Sequence, residues 1–162
     1  MIRATEPGET PLLLDLARET NVFKPHEIVA LGEVLTDYHA KERANGHLSI
    51  TYTQDHQPIG FAYYAPASMT DRGWYLYWIA VSKLCQARGI GSALMARVEA
   101  DIRRLEGRML LIETSSLPHY EPTRRFYLKQ GYEQASILSD FYADGDDLIV
   151  FRKRFEPVRS KG

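Results

Sequence analysis

The chain has one cysteine, Cys85, in 162 residues, so it can form no internal disulfide and no thiolate metal cage. No apolar run approaches the roughly 20 residues that cross a bilayer, and the N-terminus, Met-Ile-Arg-Ala-Thr-Glu-Pro, has no apolar signal core. A cytoplasmic protein is expected, with no membrane partner. Charge of either sign is not in excess: 20 basic and 21 acidic side chains give a formal net charge of -1, no reason to expect nucleic acid. The histidines, His26, His39, His47, His56 and His119, are scattered without metal-ligand spacing, so no metal is expected and each reads as a surface residue. There is no Gly-x-Ser-x-Gly elbow for a serine nucleophile, no internal repeat and no low-complexity segment.

What is present is the composition of one folded domain, 44% hydrophobic and 25% charged, long enough to bury a real core. Its most informative stretch runs from Ile79 to Leu94. An apolar run ends at Val81, a polar turn follows, and Gly89 and Gly91 precede a helical pattern. Glycines let the backbone turn sharply and let a bulky anion approach the main chain. The first turn of the following helix adds unpaired N–H groups and the positive end of its dipole, so the stretch reads as a pyrophosphate cradle, with Arg88 able to add charge. A Walker loop would need Gly-Lys-Ser/Thr, and a dinucleotide fingerprint would need glycine where Leu94 stands.

Periodicity supplies the remaining elements. Ile2 to Thr5 is a short first strand, and Thr10-Pro11 looks like a helix start with Thr10 as N-cap. A second helix begins near Pro25, carries Ile28, Leu31, Val34, Leu35 and Tyr38 at helical spacing, and ends at Asn45-Gly46. Leu48 to Tyr52 and Ile59 to Tyr63 alternate as an antiparallel hairpin around Asp55-His56-Gln57-Pro58. Trp74 to Val81 is apolar throughout, as expected of a strand covered on both faces. The helix from Gly91 turns Leu94, Val98, Ile102 and Leu105 inward, with Glu99 and Asp101 outward, and a buried strand, Met109 to Thr114, follows by a right-handed parallel crossover. Pro122 opens a short helix to Gln130, and Glu133 to Leu138 and Leu148 to Phe155 form a last hairpin. Residues 1–156 are expected to be a single domain and 157–162 a loose tail.

Gln86-x-x-Gly89-x-Gly91 resembles the Gln/Arg-x-x-Gly-x-Gly/Ala signature of the GNAT superfamily, the acyl-coenzyme A-dependent N-acyltransferases. The element order β-α-α-β-β-β-α-β-α-β-β is similar to that fold, an α+β arrangement around a mixed sheet, over nearly the whole chain. The helix Thr123-Arg124-Arg125-Phe126-Tyr127-Leu128-Lys129-Gln130-Gly131-Tyr132 resembles the family's alanine-x-x-x-tyrosine-x-x-x-glycine-phenylalanine segment.

The resemblance implies the chemistry. Central parallel strands would splay, and acetyl-CoA would lie between them. Its diphosphate would rest on the main chain of Gln86, Ala87, Arg88, Gly89, Ile90, Gly91 and Ser92, and its pantetheine on the backbone of Ile79, Ala80 and Val81. Tyr120 and Thr123 would also contact the cofactor, although many relatives carry asparagine where Tyr120 stands. Tyr127 would protonate the departing thiolate. Glu113, a carboxylate within an apolar run, would act as a base or form a structural ion pair with Arg124 or Arg125. The acceptor would be a small-molecule or peptide amine. The acidic turn Asp140 to Asp147 could attract it, or be a solvated loop. Dimers are common in the family. A non-catalytic acyl-CoA sensor and a different short acyl donor remain alternatives.

Overall fold

The computed structural model describes residues 1–155; the expected tail at 157–162 lies outside them. The elements are β1 (Ile2–Ala4), α1 (Thr10–Glu19), α2 (Pro25–Ala40), β2 (Leu48–Gln54), β3 (Gln57–Pro66), β4 (Gly73–Val81), α3 (Ile90–Arg104), β5 (Met109–Ser115), α4 (Glu121–Lys129), β6 (Glu133–Ala143) and β7 (Asp146–Arg154). This is the order expected from periodicity. The strands form one mixed seven-stranded sheet, ordered β1-β2-β3-β4-β5-β7-β6. No helix among the described residues is long and apolar enough to cross a membrane.

Contacts divide the chain into two compact units. The first holds Met1–Ala65 and Tyr77–Val98. Its core forms where α1 and α2 lay Leu13, Leu16, Leu31, Leu35 and Tyr38 on Phe61, Tyr63 and Ala80 of the sheet; each such leucine contributes about 2 kcal/mol by leaving water. The hairpin turn is tighter than expected. Asp55 and His56 both take left-handed backbone, with φ of 52° and 64°, as a two-residue turn between right-twisted strands requires. The strand therefore resumes at Gln57.

The N-cap of α1 is Glu9 rather than Thr10, which is already the first helical residue. The Glu9 side chain is buried and accepts from the Glu6 N–H at 2.9 Å, the Thr51 hydroxyl at 3.2 Å and the Arg3 guanidinium. Burial pushes the Glu9 carboxyl up, but these three donors outweigh it and hold it below its ordinary value. Helix α2 stops at Ala40, and a separate short helical turn, Glu42–Asn45, leads to Gly46. Two histidines are not on the open surface as expected. His39 is half-buried with its Nε2 lacking a partner, and burial, with Arg43 adding, pushes it down. His47 is half-buried too.

The second unit holds Pro66–Leu76 and the described residues from Glu99 onward. Here β5 pairs in parallel with β4, from Gly73↔Met109 to Leu76↔Ile112, and antiparallel with β7. The carboxylate of Glu99, expected outward, is buried: the Tyr132 hydroxyl donates to it at 2.9 Å, and so does Lys153 Nζ at 2.9 Å. Nothing in the helical stripe announces these partners, which arrive from the chain after α4. Asp101 is buried as well, beside Arg104 at 3.2 Å, whereas Leu105, expected inward, is exposed. Strand β6 is longer than periodicity suggested and exposed along its full length.

Candidate functional site

The glycine-bearing loop lies in the first unit. A short helical turn, Lys83–Arg88, follows β4 and ends at Gly89, whose φ of +75° is left-handed; a residue with a Cβ is strained there. A Cβ at Gly89 would meet nothing within 4 Å, so the space beside this backbone is open. Helix α3 begins at the next residue, and its first backbone bond runs from Ala93 N–H to the Gly89 carbonyl at 3.0 Å. Ile90 and Gly91 therefore sit in a first turn, where a helix offers its own amides no acceptor. Arg88 and Ser92 have exposed side chains, and Cys85 is packed away as a small apolar residue.

The loop is held from two sides. Gln86 donates from Nε2 to the Val81 carbonyl at 3.2 Å, and Ser82 N–H donates to the Ile59 carbonyl at 2.7 Å. One lone pair of the Val81 carbonyl is thereby taken. Gly60 on β3 allows the first turn of α3 to pack close: a Cβ there would lie 3.1 Å from Leu94, 3.2 Å from Ile90 and 3.3 Å from the Ala80 carbonyl. Strand β4 is not covered on both faces as its sequence suggested. Ala80 is buried, Ile79 and Val81 are half-buried, and Tyr77 is 52% exposed.

The second unit holds the other expected residues. Glu113 is not in a buried run: β5 alternates burial, and Glu113 points to the exposed side. A strand with one covered face gives a carboxylate at that position access to water, so the desolvation argument fails. The proposed ion-pair partners are engaged elsewhere. Arg124 donates from Nη1 to the carbonyls of Ser115 and Leu117 at 2.8 and 3.0 Å, and Arg125 pairs with Glu121 at 2.8 Å.

Tyr127 on α4 is 4% exposed, with ring centroids of Phe126, Phe151 and Tyr132 at 5.6, 5.7 and 6.3 Å. Burial pushes its phenol up, with Tyr120 adding. The hydroxyl thus stays protonated, the form a proton donor needs, while its gap to a thiol near 8.5 widens beyond the ordinary difference of about 1.5 units. Tyr120 and Thr123 are half-buried at the start of the same helix.

The acidic turn is built from its own hydrogen bonds. Asp147 accepts from Asp140 N–H at 2.9 Å, Asp140 accepts from Gly145 N–H at 2.8 Å, and Asp146 accepts from the Ser115 hydroxyl. Among the described residues no cluster of His, Cys, Asp and Glu could hold a metal.

One group was missed altogether. The Tyr63 phenol lies 2.6 Å from His47 Nδ1, and His47 Nε2 lies 3.4 Å from Glu42. The strand pattern placed Tyr63 among many aromatics, and no local signal joins it to residues 16 and 21 positions earlier.

Residues 45–134 match the family model described as an acetyltransferase (GNAT) domain, and the chain belongs to the GNAT family. It is 31% identical over 94 residues to an uncharacterized N-acetyltransferase of Methanocaldococcus jannaschii, a match that spans 56% of this chain and 58% of that protein. The fold is similar to a structure from Desulfovibrio desulfuricans whose description assigns it to the GNAT family. The TM-score is 0.91 at 35% identity, over 95% of this chain and 98% of that one. An aminoglycoside 6'-N-acetyltransferase complexed with coenzyme A has the same fold, with a TM-score of 0.79 at 19% identity over 99% of both chains.

Proposed function

We propose that this protein binds acetyl-CoA and a primary amine together and transfers the acetyl group by direct attack of the amine. The observation that carries the reading is the left-handed Gly89, with open space beside it, leading straight into the first turn of α3. The main chain of residues 86–92 holds the diphosphate, and the backbone of Ile79 and Ala80, with the remaining lone pair of Val81, pairs with the pantetheine as an added strand would. Tyr120 and Thr123 complete the cofactor contacts. When bound, acetyl-CoA supplies an activated thioester. Tyr127 gives its phenolic proton to the departing sulfur, and placement of the two reactants side by side supplies most of the gain.

Glu113 enters this scheme only as an exposed carboxylate.

The test is thiol release from acetyl-CoA across primary amines of different classes, an aminoglycoside, a polyamine and a peptide with a free α-amine. Release that depends on one of these amines is expected. Tight coenzyme A binding with no amine-dependent release would overturn the enzymatic reading in favour of a sensor. Faster release with propionyl- or succinyl-CoA would reassign the donor.

A further inference from the structure

The first unit contains a run of hydrogen-bonding groups that the scheme above leaves idle. Tyr63 on β3 is 2% exposed, and its hydroxyl meets His47 Nδ1 at 2.6 Å. The other ring nitrogen faces Glu42 Oε2 at 3.4 Å, and the side chains of His47 and Glu42 are 27% and 26% exposed. An ionised carboxylate can only accept. With the imidazole hydrogen on Nε2, toward Glu42, Nδ1 presents its lone pair and accepts from the Tyr63 hydroxyl. Phenol, imidazole and carboxylate follow one another from the core to water, the order of groups that lets a hydroxyl exchange a proton with a base.

The inner end adjoins the residues proposed to hold the donor. Tyr63 packs in one cluster with Ala80, and its ring lies 6.4 Å from that of the half-exposed Tyr77 on the same strand. Around the Tyr63 phenol stand Tyr38 and Asp37 from α2, Glu42 from the following turn, and Tyr77 from β4. Burial first, then these groups, push the phenol up; burial opposes a charge of either sign, while the carboxylates of Glu42 and Asp37 attract a cation nearby. An acceptor arrives as a cation: at neutral pH an α-amine near 8 is about one-tenth free and a lysine near 10.4 less than a thousandth.

We propose that Tyr63, His47 and Glu42 carry away the proton that the acceptor ammonium must lose before it attacks, an inference that rests on the acyl-transfer reading. The ammonium, seated against the Tyr77 ring, gives a proton through one water to the Tyr63 oxygen as the Tyr63 hydroxyl hydrogen passes to His47 Nδ1. The acceptor is left a neutral amine, Tyr63 is left a phenol, and His47 becomes an imidazolium. Glu42 holds that cation until it releases the proton to solvent.

His47→Gln keeps a side chain that can bond to Tyr63 but cannot take up the proton, Tyr63→Phe removes the hydroxyl, and Glu42→Gln alters only the outer end. With the primary amine that the panel identifies, kcat/KM for the amine is measured from about pH 6 to about pH 10, where more of the amine is already free. A general base contributes about 100-fold or more, so His47→Gln and Tyr63→Phe are expected to lose about 100-fold at pH 7. That loss should narrow as pH rises. Coenzyme A affinity should stay within twofold and the melting profile should remain cooperative; Glu42→Gln should show a smaller loss of the same pH shape. A loss equal at every pH, or none, would overturn the proposal while leaving the acyl-transfer reading standing. If the wild type acetylates no amine, both fall.

Discussion

Tyr63 and Tyr127 are both buried phenols pushed up by desolvation, yet their surroundings differ in kind. Tyr63 ends in an imidazole backed by a carboxylate, whereas the neighbours of Tyr127 are rings. A phenol tied to a base can pass a proton onward; a phenol in an aromatic nest keeps its own until something more basic arrives. Burial alone does not define a role, and what the hydroxyl faces does. Tyr132 supplies a third case: its hydroxyl donates to the buried carboxylate of Glu99, which also accepts from Lys153, an arrangement that fastens α3 to the end of α4.

The largest effect separating these tyrosines is expected for Tyr127→Phe. Loss of a positioned proton donor costs about 100-fold in kcat, with coenzyme A affinity unchanged and little loss of stability. Because burial raises the Tyr127 phenol, wild-type kcat should show no decline from its ionisation below about pH 10; a decline there would mean that the phenol is less shielded than its exposure indicates. Tyr63→Phe should come next, with a loss in kcat/KM for the amine that shrinks at high pH. A parallel fall at all pH values in both variants would erase the distinction between them. Tyr132→Phe should leave kinetics unchanged and lower stability by about 1.5–3 kcal/mol in urea unfolding, the worth of one hydrogen bond to a charged acceptor. A change in kcat instead would move Tyr132 out of the structural class.

The smallest expected effect lies at Glu9. Its folded-state pKa is depressed, so its contribution to stability is fully present above the unfolded value near 4.3 and is lost as pH falls through the lower folded value. Wild type and Glu9→Gln should therefore differ in urea midpoint at neutral pH and converge in acid.

Elements whose signal is local were legible in the sequence. The order of strands and helices, the α2 stripe and the loop from Gln86 to Ser92 all follow from spacing within a few residues. Signals that depend on distant partners were not. Glu99 looks like a solvated helix residue until Tyr132 and Lys153 fold back onto it. Glu113 looks buried because its neighbours are apolar, yet β5 has one covered face and presents it to water. His47 looks like a stray surface histidine until β3 brings Tyr63 against it. The Tyr63, His47 and Glu42 contacts were invisible for that reason, while the glycine loop, written in seven consecutive residues, was not.

Acetyl-CoA binding as proposed depends on the backbone between Gln86 and Ser92. Amide chemical shifts of the isotope-labelled protein, followed as coenzyme A is added, test it most directly. The largest changes should fall on Gly89, Ile90 and Gly91, with smaller ones at Ile79 and Ala80, and Gly89→Val should abolish them. Saturable binding whose shifts fall elsewhere and leave these amides unmoved would contradict the account.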